Sequence, residues 1–251
     1  MVESAITTTN QDDPLTRYSP SLFHETSPKS LQTQSTTPTL SISEPDGSPR
    51  YCDLCRCFKP DRTHHCGVCN VCVLKMDHHC PWINNCVGHH NYKLFFLFVA
   101  YTALYGLWCL GSGIPLVVIA LRDMDADIDP HWIVFLALAF VIGLTVTCFG
   151  LNHLRYILVN RTTIEHVLRQ KEHVRVDFDS SGVNYQVVEV DHPERLWDLG
   201  KMKNWKIIMG DSAIKWFLPI RHVVGNGTTF PYCNSLYQQI IAQTKRPDAT
   251  L

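Results

Sequence analysis

The sequence predicts a mainly α membrane protein, with two transmembrane helices, a small cysteine-rich domain ahead of them and a polar tail behind. Three observations predict it. Residues 94–121 carry no charged side chain, and neither do residues 132–151; a helix of roughly 20 apolar residues crosses the hydrocarbon core of a bilayer, so both runs are long enough. Eleven cysteines and thirteen histidines stand in 251 residues, and eight of those cysteines fall between Cys52 and Cys86 beside His64, His65, His78 and His79. The first 49 residues are almost all polar, and they hide the spans in the average: 45% hydrophobic content and a mean hydropathy of −0.04 resemble an ordinary soluble chain. A net charge of −1 with no basic domain excludes a protein built chiefly to hold nucleic acid.

The pieces follow in chain order. Residues 1–49 are rich in Ser, Thr and Pro and short of aromatics, a composition that cannot bury enough apolar surface to offset the entropy of ordering. They read as a disordered tail, and no apolar run behind a charged start marks a signal peptide. Residues 50–93 are the Cys/His segment. Residues 94–121 are the first span, loosened late by Gly111, Gly113 and Pro115, which a bundle tolerates when neighbours satisfy the freed backbone groups. Residues 122–131 connect it to the second span, 132–154, which fades through Asn152 and His153 towards Arg155. Both faces of both runs are apolar, unlike the striped helices of a soluble core.

Orientation comes from the flanks. The connector holds one basic residue, Arg122, whereas Arg155, Arg161, Arg169 and Lys171 follow the second span and Lys75 and Lys93 precede the first. Positive charge stays on the cytosolic side, so 122–131 is expected in the lumen, and the cysteine-rich domain and the tail, 155–251, in the cytosol. The connector aspartates Asp123, Asp125, Asp127 and Asp129 read as a solvated turn rather than a calcium site. A cytosolic, reducing setting keeps thiols free for metal binding and catalysis.

The Cys/His segment reads Cys52-x2-Cys55, nine residues, His65-Cys66-x2-Cys69-x2-Cys72, four residues, Asp77-His78-His79-Cys80, five residues, Cys86. Interleaved Cys and His at such spacing is metal chemistry rather than a disulfide framework. Structural zinc takes four ligands in a tetrahedron, and a Cys-x2-Cys knuckle turns two sulfurs towards one ion. Cys52 and Cys55 form one knuckle, Cys66 and Cys69 another. Neighbours such as His65 and Cys66 point apart, so His65 is expected with the first zinc and Cys72 returns to complete it. The first set is then Cys52, Cys55, His65 and Cys72. The second zinc has Cys66 and Cys69 and takes two more ligands from His78, His79, Cys80 and Cys86, a choice that the spacing leaves open.

The run Asp77-His78-His79-Cys80-Pro81-Trp82, followed by Asn84-Asn85-Cys86-Val87-Gly88 and Asn91-Tyr92-Lys93, resembles the signature of the DHHC family of protein S-acyltransferases. From Cys52 to Asn91 every Cys and His of that family's cysteine-rich domain has a counterpart. The resemblance implies that His79 and Cys86 complete the second zinc site, that Cys80 is the nucleophile, His78 the general base, and Asp77 the residue that orients it. The implied reaction moves a long-chain acyl group from palmitoyl-CoA to Cys80 and then to a cysteine of a substrate protein. The residue types suit it. A thiolate is the active nucleophile, a neighbouring base supplies it, and a carboxylate fixes the base's tautomer.

Cys80 lies fourteen residues before Leu94, which keeps it close to the membrane where an acyl-CoA partitions. Lys59, Arg62, Lys75 and Lys93 are candidates for the donor's phosphates, and Trp82 for the acyl chain or the interface. Tyr105 falls where the resembled family limits chain length. Thr162 and Glu165 have capping-box spacing and also match the family's Thr-Thr-x-Glu motif, which packs against the catalytic region. Asn204-Trp205, Gly210, Trp216-Phe217-Leu218-Pro219 and Gly225-x-Gly227 resemble the C-terminal motif of one subgroup, with Asn226 where an acid is common. Cys57, Cys109, Cys148 and Cys233 are left as spare or buried thiols.

Members of the resembled family usually carry two further spans before the zinc domain, and residues 1–49 contain none, so a truncated or short form with weaker acyl-CoA use is expected. A homo-oligomer or a partner would then supply the missing helices. The implied partners are membrane lipid and cytosolic or peripheral membrane proteins with accessible cysteines, not nucleic acid. The implied location is an endomembrane (ER, Golgi or vacuole), as a multi-pass integral protein. A catalytically impaired, zinc-dependent membrane adaptor is the alternative, and a RING-type ligase fits poorly because its ligands alternate differently.

Overall fold

The computed structural model describes residues 37–122, 129–168 and 171–244. Asp123, Asp125, Asp127, Arg169 and the leader up to residue 36 lie outside the described residues. The chain divides into two compact units, the first from Met1–Asn91, Thr162–Leu196 and Gly225–Leu251, the second from Tyr92–Arg161 and Trp197–Val224.

The first unit is built from short hairpins. β2 (Tyr51–Cys52) pairs with β3 (Cys57–Phe58), β4 (His64–Cys66) with β5 (Val71–Val73), and β6 (His78–Cys80) with β7 (Asn85–Val87), all antiparallel. Strands of two or three residues bury too little apolar area to hold themselves together, so these hairpins depend on what their cysteines and histidines do. Their turns rest on Arg56, Asn70 and Asn84 in the left-handed region, and the links between successive hairpins on Arg62 and Lys75, also at positive φ.

A separate three-stranded antiparallel sheet runs in the order β1 (Thr39–Ser43), β8 (Glu172–Asp177), β9 (Tyr185–Val190). This corrects the reading of residues 1–49 as uniformly disordered, since Thr39–Ser43 is a strand. Leu40 and Ile42 alternate with Ser and Thr and are buried, as are Val174 and Val176 opposite them. Two apolar residues in a Ser/Thr/Pro background are too few to stand out until their partner strand is known. Helix α6 (Asn234–Thr244) buries Ile240 and Ile241 in the same unit.

In the second unit, α1 (Tyr92–Arg122) and α2 (Pro130–Leu158) are helices of 31 and 29 residues. At 1.5 Å per residue they reach about 45 Å, more than the ~30 Å of a bilayer core. By length and composition both could cross a membrane, and few of their apolar residues are buried within the chain. Phe98, Leu104, Trp108 and Ile119 on α1 and Ile133, Leu138, Val141 and Leu144 on α2 are exposed, the reverse of a soluble core helix. Glycines bring the helices together. A Cβ on Gly106 would stand 3.0 Å from the Cα of Gly143, so the backbones touch where both side chains are hydrogen. Asp129 caps α2 by accepting from the His131 backbone nitrogen at 2.9 Å.

After α2 the chain turns through Asn160, at positive φ, and is clamped by Asn204 of α4 (Lys201–Met209). The fully buried Asn204 side chain donates to the Leu158 carbonyl at 2.9 Å and to Asp198 at 2.7 Å, and accepts from the Leu199 nitrogen at 3.0 Å. That gives Asn204 a packing role in the tail motif.

Candidate metal centres and active site

Strand pairing arranges the ligands. His65 and Cys72 sit directly opposite each other across β4 and β5, as do His79 and Cys86 across β6 and β7. Opposed residues of an antiparallel pair project to the same face, so each hairpin supplies an imidazole and a thiol side by side. Knuckles supply the rest: the Cys55 nitrogen donates to Cys52 Sγ and the Cys69 nitrogen to Cys66 Sγ, both at 3.4 Å.

Two quartets result, Cys52/Cys55/His65/Cys72 and Cys66/Cys69/His79/Cys86, with the ligand atoms of each within 4.8 Å of one another. His65 Nδ1 lies 3.6 Å from Cys52 Sγ and 3.3 Å from Cys55 Sγ. His79 Nδ1 lies 3.7, 3.3 and 3.7 Å from the sulfurs of Cys66, Cys69 and Cys86, and the sulfurs of Cys86 and Cys69 are 3.6 Å apart. A tetrahedral zinc with three sulfurs and one nitrogen has edges of about 3.6 Å for S···N and about 3.8 Å for S···S. The donor sets fit a metal ion of that size. Without a cation, burial and then the adjoining thiols push Cys72 and Cys86 well above the ordinary thiol range; a bound metal displaces those protons and turns the repulsion into coordination.

Alternation along β6 decides what happens to the remaining residues. His79 turns into the second quartet, so His78 and Cys80, one position either side, project to the opposite face. Cys80 is buried and belongs to neither quartet. His78 Nδ1 lies 2.6 Å from Asp77 Oδ2. A carboxylate there fixes the proton on Nδ1 and leaves Nε2 as the basic nitrogen.

Asp77 is fully buried and held from α3 (Thr163–Leu168). Thr163 donates to it from its backbone nitrogen at 2.9 Å and from its hydroxyl at 2.8 Å. The same turn is closed by the capping box that the spacing predicted, with Glu165 N donating to Thr162 Oγ1 at 3.2 Å and Thr162 N to Glu165 Oε2 at 2.9 Å. Glu165 also takes both prongs of the buried Arg62 guanidinium, Nε at 2.6 Å and Nη2 at 2.9 Å. Burial raises the Glu165 carboxyl, and the Arg62 charge and bonds outweigh it, holding the group below its usual range. Sequence reasoning missed the Arg62–Glu165 pair, because the partners stand 103 positions apart.

Three of the four basic residues offered to an anionic donor, Arg62, Lys75 and Lys93, need correction, and Lys59 is half-buried. Arg62 is enclosed against Glu165, Lys75 is buried, and burial followed by the Arg62 charge pushes Lys75 down to about 7. Lys93, in the helical unit, is also buried and donates from Nζ to the Lys215 carbonyl at 2.8 Å. These side chains satisfy neighbours inside the chain instead of presenting charge outwards. Trp82 does the opposite: it stands 89% exposed on the short 3-10 turn Pro81–Ile83 directly after Cys80. Tyr105 is exposed on α1 and stacks on Trp108 at 6.0 Å. Cys57 is buried beside Cys52 and Cys72.

A sequence model described as DHHC palmitoyltransferase matches residues 46–170, which spans both quartets, the Asp77–His78 pair and Cys80, both long helices and α3. The chain belongs to the DHHC palmitoyltransferase family. Palmitoyltransferase ZDHHC2 of Rattus norvegicus is 38% identical over 191 residues, covering 74% of this chain and 47% of the relative. Palmitoyltransferase PFA3 of Yarrowia lipolytica is 29% identical over 211 residues, covering 78% and 52%. Probable protein S-acyltransferase 16 of Arabidopsis thaliana is 35% identical over 200 residues, covering 77% and 66%. The chain spans about half the length of the first two of these relatives. The four letters of the family name are Asp77, His78, His79 and Cys80, and their geometry separates them: His79 faces the metal quartet, while His78, paired with Asp77, and Cys80 lie on the other face of the strand.

Proposed function

We propose that this DHHC chain is a protein-cysteine S-palmitoyltransferase that carries the acyl group on Cys80. The observation that carries the reading is the alternation along β6, which turns His79 into a metal quartet and leaves Cys80 and His78 together on the other face with Asp77 behind the imidazole. His78 Nε2 takes the Cys80 proton, and the thiolate attacks the thioester carbonyl of palmitoyl-CoA. The Cys80 S–C bond forms, the CoA S–C bond breaks, and the CoA sulfur leaves with the proton held on His78. A cysteine of the substrate protein then gives its proton to His78 and attacks the Cys80 thioester, which restores the free thiol. Thioester is exchanged for thioester at both steps, so little energy is needed beyond a good nucleophile and leaving group.

In this reading the metal in both quartets is zinc, which supports the fold by holding the thiolates of the hairpins and contributing binding energy to folding. The two long helices are transmembrane, with 122–131 luminal and the zinc domain and tail cytosolic, as the basic flanks support. Trp82 and Tyr105 meet the acyl chain or its lipid surroundings. Substrates are cytosolic or peripheral membrane proteins on an endomembrane, for which a second buried chain turns weak attachment into stable anchoring.

The test is incubation of the full chain in detergent or liposomes with labelled palmitoyl-CoA. A hydroxylamine-labile adduct on the parent and none on Cys80→Ser is expected. No adduct on the parent, or equal adducts on both, removes the reading.

A further inference from the structure

The stretch from Gly225 to Tyr237 is tied down at each step within the first unit. His89 Nε2 lies 3.4 Å from the Gly225 carbonyl, and Gly227, at φ +77°, sits so close to His89 that a Cβ there would come within 2.5 Å of the imidazole. Tyr232 donates to the Leu40 carbonyl and Tyr237 to the Pro38 carbonyl, the latter at 2.8 Å. Between these ties stands Phe230. The Arg62 guanidinium carbon is 5.2 Å from its ring centroid and the Lys75 ammonium nitrogen 5.8 Å, both inside the range at which a cation is attracted to an aromatic ring.

Two buried cations on one ring repel each other and compete for the carboxylate of Glu165, while Asp77 also attracts Lys75. Glu165 must stay bidentate on Arg62 for its turn to remain closed, because that turn carries Thr163, and Thr163 holds both oxygens of Asp77. The ring's negative face offers the cations a second attractive partner, and its bulk limits where the guanidinium can swing. A residue 153 positions along the chain from Asp77 is thereby linked to it through Arg62, Glu165 and Thr163.

We infer that Phe230 is a positioning residue for acyl transfer: its ring holds Arg62 and Lys75 so that the Glu165–Thr163 turn keeps Asp77 aligned on His78. The inference rests on the proposed transferase reading and deepens it.

The test uses single-turnover acylation of the full chain by labelled palmitoyl-CoA, with Phe230→Leu, which keeps apolar bulk without the π face, and Phe230→Tyr, which keeps the face. Zinc per chain is measured on each. Phe230→Leu is expected to acylate about tenfold more slowly at saturating donor, with unchanged half-saturation and unchanged zinc, and Phe230→Tyr to recover most of the rate. A Leu variant as fast as the parent overturns the inference. So does a Leu variant that loses zinc, a Tyr variant as slow as Leu, or a rise in half-saturation alone, which would assign the ring and its cations to the donor's head group. If the parent itself forms no Cys80-dependent adduct, the transferase reading fails instead, and the two failures are thus told apart.

Discussion

Thr163 grips both oxygens of Asp77, its backbone nitrogen reaching Oδ1 at 2.9 Å and its hydroxyl reaching Oδ2 at 2.8 Å. Oδ2 also faces His78 at 2.6 Å, so the hydroxyl and the imidazole converge on one oxygen and fix its direction. Hydrogen bonds to a charged group are worth ~1.5–3 kcal/mol, and losing the hydroxyl also frees the carboxylate to rotate. Thr163→Val is expected to slow Cys80 acylation about tenfold with metal content intact, and Thr163→Ser to behave as the parent. A single-turnover acylation assay on both checks this; a normal Val variant would show that the backbone bond alone suffices.

Metal stoichiometry separates the two faces of β6. Cys80→Ser is expected to retain both metal ions per chain, whereas Cys86→Ala, directly opposite His79, is expected to lose one. Elemental mass spectrometry against protein concentration reads the difference. Because structural zinc contributes ~10–16 kcal/mol in small finger peptides, a strong chelator should melt the β2–β7 hairpins rather than leave them folded and slow, visible as loss of amide protection across 51–87.

Lys75 carries a pH signature. Burial, then Arg62, lowers its folded-state value to about 7 from the usual 10.5. Between those values the unfolded chain binds the additional proton, so this residue's penalty on stability is complete below pH 7, shrinks as pH rises, and vanishes above about 10.5. Lys75→Met is therefore expected to unfold at higher temperature than the parent at pH 7, with the gap narrowing towards pH 9.5. Thermal unfolding at several pH values checks it; a gap that widens with pH would contradict the assignment.

The helical pair depends on absent side chains. At Gly106 even one methyl group would press to 3.0 Å on Gly143. Gly106→Leu should separate α1 from α2 and destabilise the pair by ~1–3 kcal/mol, the usual cost of overpacking. Leu104→Ala, at an exposed position on the same helix, should change little. Thermal unfolding in detergent compares them.

The sequence by itself determined the two apolar runs, the first metal quartet and the family. Length without charge makes a helix able to span, a Cys-x2-Cys knuckle is a local turn, and the divergence of neighbouring residues sends His65 and Cys66 to different sites. The choice among His78, His79, Cys80 and Cys86 was different, because it depends on which residues share a strand face. Pairing of β6 with β7 decided it: the pleat projects His79 beside Cys86 and turns His78 and Cys80 away. Tertiary structure alone also decided the strand at Thr39–Ser43, the enclosure of Arg62 by Glu165, and the placing of Phe230 over two cations. Each is a contact between residues about a hundred or more positions apart, where local propensity says nothing and only the closing of the chain brings the partners within reach.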